Sequence, residues 1–109
     1  MTVTAKTHEH KEYKEHMADN AQQAADFLKR LANPNRLMVL CTLADKEMSV
    51  GELNSEIPLS QSALSQHLSV LRDAGIVSTR RESQTIYYQL ADKRVFQIIS
   101  PLYDIFCTE

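Results

Sequence analysis

The chain has 109 residues, 43% of them hydrophobic, and a formal net charge of −2; it has room for one domain with a sufficient core and little to spare. No apolar run approaches the ~20 residues that cross a bilayer, and the first residues lack the apolar core of a secretory signal, so a cytoplasmic protein with no membrane partner is expected. The two glycines, Gly51 and Gly75, stand far apart, which excludes a glycine-rich phosphate loop, and no internal repeat or low-complexity run is present.

Residues 1–17 carry many charges and no periodic apolar stripe, which predicts a mobile polar tail ahead of a domain over 18–109. His8, His10 and His16 lie there; His-x-His invites a metal reading, whereas solvated histidines are the simpler one. From Asp19, a candidate N-cap, Ala21, Ala24, Ala25, Leu28 and Leu31 recur at helical spacing to about Ala32. Asn33-Pro34 restarts a helix with an N-cap and a proline at its first position, and Leu37, Leu40, Cys41 and Ala44 are its expected inner face. Ser49-Val50-Gly51-Glu52 is a capping box that opens a short helix through about Glu56, with Leu53 and Ile57 as apolar contacts.

The stretch Leu59 to Arg72 organises the rest. Leu64, Leu68 and Leu71 recur at i, i+4 and i+7 and predict a buried helical stripe. The opposite side holds Gln61, Ser62, Ser65, Gln66, Ser69 and Arg72, almost all uncharged, whereas a merely solvated face usually carries Lys and Glu. Ser60 is placed to cap this helix, leaving Gln61 and Ser62 at a dipole-positive N-terminus able to meet a phosphate. Gln can pair with adenine and Ser with phosphate or base edges. Preceded by the short helix, this is a helix-turn-helix with a candidate recognition helix; an ordinary amphipathic helix is the plainer alternative. Ala74-Gly75 ends it, and two β-rich runs, 76–81 and 85–90, flank a polar turn at Glu82-Ser83-Gln84, the pattern of a wing. From Ser60 to Arg94 the bases Arg72, Arg80, Arg81, Lys93 and Arg94 outnumber Asp73, Glu82 and Asp92. Gln61, Ser62, Ser65, Gln66 and His67 are therefore the candidate DNA-reading face, with Arg80, Arg81 and Gln84 on the wing, where a surface charge pair is the alternative for the arginines. His67, three residues after Leu64, is also placed to hydrogen-bond at the edge of the core.

After the wing, Asp92 is a candidate cap for a last helix in which Val95, Phe96, Ile98, Ile99, Leu102, Tyr103, Ile105 and Phe106 leave little polar surface. One small domain cannot cover that stripe, which predicts a homodimer through the last helix and the alanine-rich first one. Pro101 is expected to kink this helix or to restart it with Ser100 as cap.

Residues 32–37, Ala-Asn-Pro-Asn-Arg-Leu, together with Ser49-Val50-Gly51-Glu52-Leu53, the stretch from Leu59 to Leu68, and Leu71-Arg72-Asp73-Ala74-Gly75-Ile76-Val77, make the chain resemble the ArsR (SmtB/ArsR) family of winged helix-turn-helix regulators from about Ala24 onward. The fold this implies is mainly α with a small β-hairpin; the function it implies is that of a homodimeric repressor that binds double-stranded operator DNA and releases it on meeting an inducer, with no catalytic site. Many relatives sense metals through a Cys-Val-Cys motif, but this chain reads Ser-Val-Gly-Glu-Leu there, and from Lys93 to Glu109 it has no histidine for the second family metal site. Cys41 and Cys107 look instead like the cysteine pair of the branch containing HlyU, SqrR, BigR and YgaV, which responds to reactive sulfur or oxidants. No cofactor and no metal are implied. A structural disulfide is not expected in a reducing compartment, while Cys41 alone also fits a small core hydrophobe. A metal-responsive regulator using both thiolates, or a thiol enzyme, stays open as an alternative; against the enzyme, neither thiol belongs to a Cys-x-x-Cys or has a histidine close in sequence.

Overall fold

A computed structural model of the chain describes residues 10–107. Six helices and three strands follow in the order α1 (His10–Ala18), α2 (Ala21–Leu31), α3 (Pro34–Thr42), β1 (Met48–Ser49), α4 (Val50–Glu56), α5 (Gln61–Asp73), β2 (Val77–Glu82), β3 (Thr85–Leu90) and α6 (Arg94–Phe106). The architecture is mainly helical with one small antiparallel sheet in the order β1-β3-β2, that of a winged helix.

The capping signals act where the sequence places them. Asn33 accepts hydrogen bonds from the backbone of Asn35 and Arg36 at 2.9 and 3.2 Å, with Pro34 at the first helical position. Ser49 and Glu52 form the full reciprocal box, 3.1 Å from the Glu52 N–H to Ser49 Oγ and 2.8 Å from the Ser49 N–H to Glu52 Oε1. At the end of α5, Gly75 takes φ +74°; its N–H donates to the Arg72 carbonyl and that of Ile76 to the Leu71 carbonyl, both at 2.9 Å. Those two bonds are a Schellman motif, and its apolar contact joins two core residues, Leu71 and Ile76.

Leu64, Leu68 and Leu71 are buried with Leu31, Val39, Leu40, Leu43, Met48, Leu53, Ile57, Ile76, Val77 and Val95 in one core. Each large side chain sealed there contributes about 1.5–3 kcal/mol of transfer free energy. The core thus fixes α5 from beneath and leaves its polar side outward, while β2 and β3 project beside it with Glu82 opposite Thr85 and only Ser83 and Gln84 in the turn.

Several expectations are corrected. Residues 10–17, assigned to a tail, lie in α1, which runs on to Ala18, and the side chains described there are exposed; residues 1–9, with His8, lie outside the described residues. Asn20, not Asp19, stands at the start of α2. The buried face of α3 is Val39 and Leu40, continued by Leu43, while Cys41 is exposed: one residue past Leu40 the helix has turned by about 100°. β1 was not foreseen; its two residues pair Met48 with Tyr88 and Ser49 with Tyr87. Lys93 occupies the cap position of α6, yet Asp92 still accepts the Arg94 N–H at 3.0 Å. The helix runs through Pro101 without restarting.

Candidate nucleic-acid interface and thiol pair

Ser60 Oγ accepts the Ala63 N–H at 3.1 Å, and Gln61, Ser62, Ser65, Gln66, Ser69 and Arg72 are all exposed along α5. His67 departs from this set. It is half-buried on the flank of the helix, and its Nδ1 accepts a hydrogen bond from Arg36 Nε at 3.2 Å. Arg36 also reaches back to the carbonyls of Lys29 and Arg30 at 3.5 and 3.4 Å. One guanidinium therefore connects the end of α2, the start of α3 and the middle of α5. An open groove of about 490 Å³ lies there, lined by Arg36, Ser65, Gln66, His67, Ser69 and Val70.

On the wing the two arginines differ, because neighbours along a strand point to opposite faces. Arg80 is held by Glu47, with Nε 2.8 and 3.0 Å from its carboxylate oxygens, and by Glu82 at 3.1 Å, and its guanidinium lies 4.6 Å from the centre of the Tyr87 ring. The hydrogen bond from Arg80 holds the Glu47 carboxyl below its ordinary range, and Arg80 is raised in turn. Arg80 is thus engaged in the charge pair that stood as its alternative. Arg81 is exposed with no ion pair among the described residues, and Gln84 is exposed in the turn. Arg94 is likewise occupied: it pairs with Asp92, lowering that carboxyl, and lies 4.6 Å from the centre of the Phe27 ring.

The two cysteines, distant in sequence, share one pocket. Packing of α6 against α3 brings Cys41 and Cys107 into a cavity of about 280 Å³ whose other lining residues are Leu37, Ile99, Leu102, Tyr103 and Phe106. Both are free and exposed. Partial burial, and then the neighbouring Cys107, push the Cys41 thiol above its ordinary pKa. Among the described residues no three His, Cys, Asp or Glu side chains group as a metal site, and no helix is long and apolar enough to cross a membrane.

Residues 33–79 match the family described as "Bacterial regulatory protein, arsR family". The chain is 52% identical over 91 residues to a biofilm growth-associated repressor of Agrobacterium fabrum, covering 84% of this chain and 78% of the relative, and 50% identical over 91 residues to the transcriptional activator HlyU of Vibrio cholerae, covering 84% of each. The chain belongs to the ArsR family. Its fold superposes on the crystal structure of the transcriptional repressor BigR from Xylella fastidiosa with a TM-score of 0.83 at 46% identity, over 88% of this chain and 98% of that one. ArsR-family proteins are transcriptional regulators, not enzymes, and they bind operator DNA.

Sequence reasoning missed what long-range packing decides within this ArsR fold. The Arg36–His67 link spans 31 residues and the Arg80–Glu47 pair 33. Neither has a local signature. The one available hint was that a histidine beside a leucine stripe needs a partner at the core edge, which is the role His67 takes.

Proposed function

We propose that this chain is a dithiol-switched transcriptional regulator that binds operator DNA as a reduced homodimer and releases it when Cys41 and Cys107 are bridged within one subunit. The observation that carries this reading is the shared pocket: two cysteines 66 positions apart in the sequence line one small cavity between the helix that leads into the DNA-reading half and the last helix. Two recognition helices about one DNA turn apart would enter successive major-groove segments. Gln61, Ser62, Ser65 and Gln66 meet base edges and phosphates, and Arg81 and Gln84 follow the flanking backbone. The dimer surface is the unpartnered apolar side of α6 and α2, where Ile105 is 69% and Leu28 49% exposed.

The inducer is a reactive sulfur species or another oxidant. With a persulfide R–S–SH, one cysteine thiolate attacks the outer sulfur and expels R–S⁻, which takes up a proton; the second thiolate then attacks the persulfidated cysteine's inner sulfur and expels HS⁻. Two thiols lose two electrons, and the persulfide is reduced to a thiol and hydrogen sulfide. The link shifts DNA occupancy only by fitting the two states unequally, and ~1–3 kcal/mol of coupling changes affinity 5- to 150-fold. Relatives named as repressor and as activator both support a DNA-binding regulator, and derepression on bridging is the output proposed here.

The test is operator binding by gel shift, with mass spectrometry of the same samples after persulfide, peroxide or Zn²⁺ challenge. An intrasubunit bridge that reverses with dithiothreitol, lost in Cys41→Ser and in Cys107→Ser together with the response, is the expected result. A single variant that responds like the parent, or stoichiometric Zn²⁺ release of the operator, would replace this reading with a one-thiol or metal-responsive one.

A further inference from the structure

The pocket that holds the two thiols is larger than the thiols need. Among the described residues its remaining lining, Leu37, Ile99, Leu102, Tyr103 and Phe106, is aliphatic and aromatic, with no charged side chain and with the tyrosine hydroxyl as the single polar side-chain group beyond the thiols. Tyr103 and Phe106 are 59% and 77% exposed, so the cavity opens outward between them. An apolar cavity of about 150 Å³ accepts a benzene molecule, and this one is about 280 Å³. We propose that the pocket between α3 and α6 binds the organic part of the inducer and selects reagents in which that part is apolar and uncharged, an aryl or branched-alkyl persulfide, over persulfides built on a charged peptide. This rests on the reading that Cys41 and Cys107 are the reacting pair.

The selectivity follows from desolvation. A peptide persulfide brings carboxylates and an ammonium group, and the described lining residues offer no charged partner for either, so its charged part stays in water and gains nothing from these walls. An aryl group enters, loses its hydration, and stands against Phe106 and Tyr103, where ring–ring and sulfur–ring contacts are both favourable. Holding the reagent there compensates for a sluggish nucleophile. Burial, and then Cys107, push the Cys41 thiol up and so lower its thiolate fraction, and residence in the cavity raises the effective concentration of the sulfane sulfur beside it. The chemistry is that given above: R–S–SH transfers its outer sulfur to one cysteine and leaves as R–S–H, and the second cysteine displaces HS⁻ to close the bridge.

The experiment compares benzyl persulfide, glutathione persulfide and inorganic disulfide (HSS⁻) as oxidants of the reduced full chain, with the bridged species followed by mass spectrometry and each rate divided by that of an unstructured cysteine peptide. The benzyl reagent is expected to exceed the glutathione reagent by about tenfold or more after that division, as one apolar group in a fitted pocket allows. Leu102→Gln should bring the benzyl-to-glutathione ratio close to one, with the rate for inorganic disulfide, which has no organic part to hold, taken as the measure of any change in the thiols themselves. If Leu102→Gln is poorly folded, competition by toluene supplies the same answer in the unmodified chain: it slows the benzyl reagent alone. A normalised ratio near one in the parent chain overturns the pocket inference while leaving the dithiol switch standing. If none of the three reagents forms an intrasubunit bridge, the dithiol reading fails instead.

Discussion

The link between Arg36 and His67 gives a direct way to ask whether α3 positions the recognition helix. Replace Arg36 by Met, which keeps the apolar stem and removes the guanidinium, replace His67 by Ala, and combine the two. The Nε–Nδ1 distance of 3.2 Å is at the long end for an N–H donor, and the contacts from Nη1 to the Lys29 and Arg30 carbonyls are longer still at 3.5 and 3.4 Å. A bond from a charged donor is worth about 1.5–3 kcal/mol at good geometry, so this one should give a coupling energy of about 1 kcal/mol in the double-mutant cycle on folding stability. Each single variant then lowers Tm by about 4–8 °C for the shared bond. His67→Gln, whose amide oxygen can accept from Arg36, should recover part of the loss.

Operator affinity separates positioning from mere stability. If the bond sets how α5 is presented, the same cycle run on operator dissociation constants, measured by fluorescence anisotropy well below the melting range, should show coupling in the same direction and a loss of about fivefold per single variant. Additive stability losses would remove the bond as an energetic link. Coupled stability with operator affinity unchanged within about twofold would leave it a structural contact with no part in positioning the reading face.

Further outcomes follow from the same geometry. Ile105→Glu places an unpaired charge on the exposed apolar flank of α6 and should yield monomers at micromolar concentration in sedimentation, whereas Ile99, which lines the thiol pocket, is the poorer probe of dimerisation; an unchanged Ile105→Glu dimer refutes that surface. Arg81→Ala, removing an arginine with no ion pair among the described residues, should weaken specific and random DNA alike and lower the salt slope by about one, while Arg80→Ala should do less, its charge being already matched by Glu47 and Glu82. Because burial raises the Cys41 pKa and Cys107 adds to it, alkylation of Cys41 by iodoacetamide should reach its plateau at higher pH than a peptide thiol, and Cys107→Ser should move that profile only part of the way back. A Cys41 profile matching the free peptide would contradict the assigned burial.

What was legible in the sequence was whatever a few neighbouring residues determine. Asn33-Pro34, the Ser49/Glu52 box, Ser60 and Gly75 each act on backbone groups within five positions, so reading them needs no knowledge of the fold, and the three-leucine stripe of α5 fixes which side faces the core. The phase of α3 was misjudged because Cys41 is apolar enough to be counted with Leu37, and only the packing of α6 shows that this side faces the thiol pocket. The two-residue strand β1 is too short to carry a period-2 signal; it exists because β3 supplies its hydrogen-bond partners. The wing arginines were indistinguishable in sequence, since the partner that occupies Arg80 comes from beside that unforeseen strand.

The position of the cysteines allows a last test, one that tells a switch from damage. A bridge from Cys41 to Cys107 encloses α4, α5 and both wing strands, so the whole helix-turn-helix and wing become part of a closed loop. Closing a loop of that length removes denatured-chain entropy worth about 4 kcal/mol. The proposed coupling absorbs up to ~3 kcal/mol of this as misfit in the DNA-binding arrangement, so about 1 kcal/mol or more of net stabilisation should remain and Tm should rise by at least about 4–8 °C in the bridged form. Operator affinity and thermal stability are therefore expected to move in opposite directions when the bridge forms, and to return together on reduction. Calorimetry of the reduced and bridged chain without DNA measures one, anisotropy the other. A bridged form that melts earlier than the reduced one would mean that DNA is released because the fold has loosened, and the two-state switch would have to be abandoned.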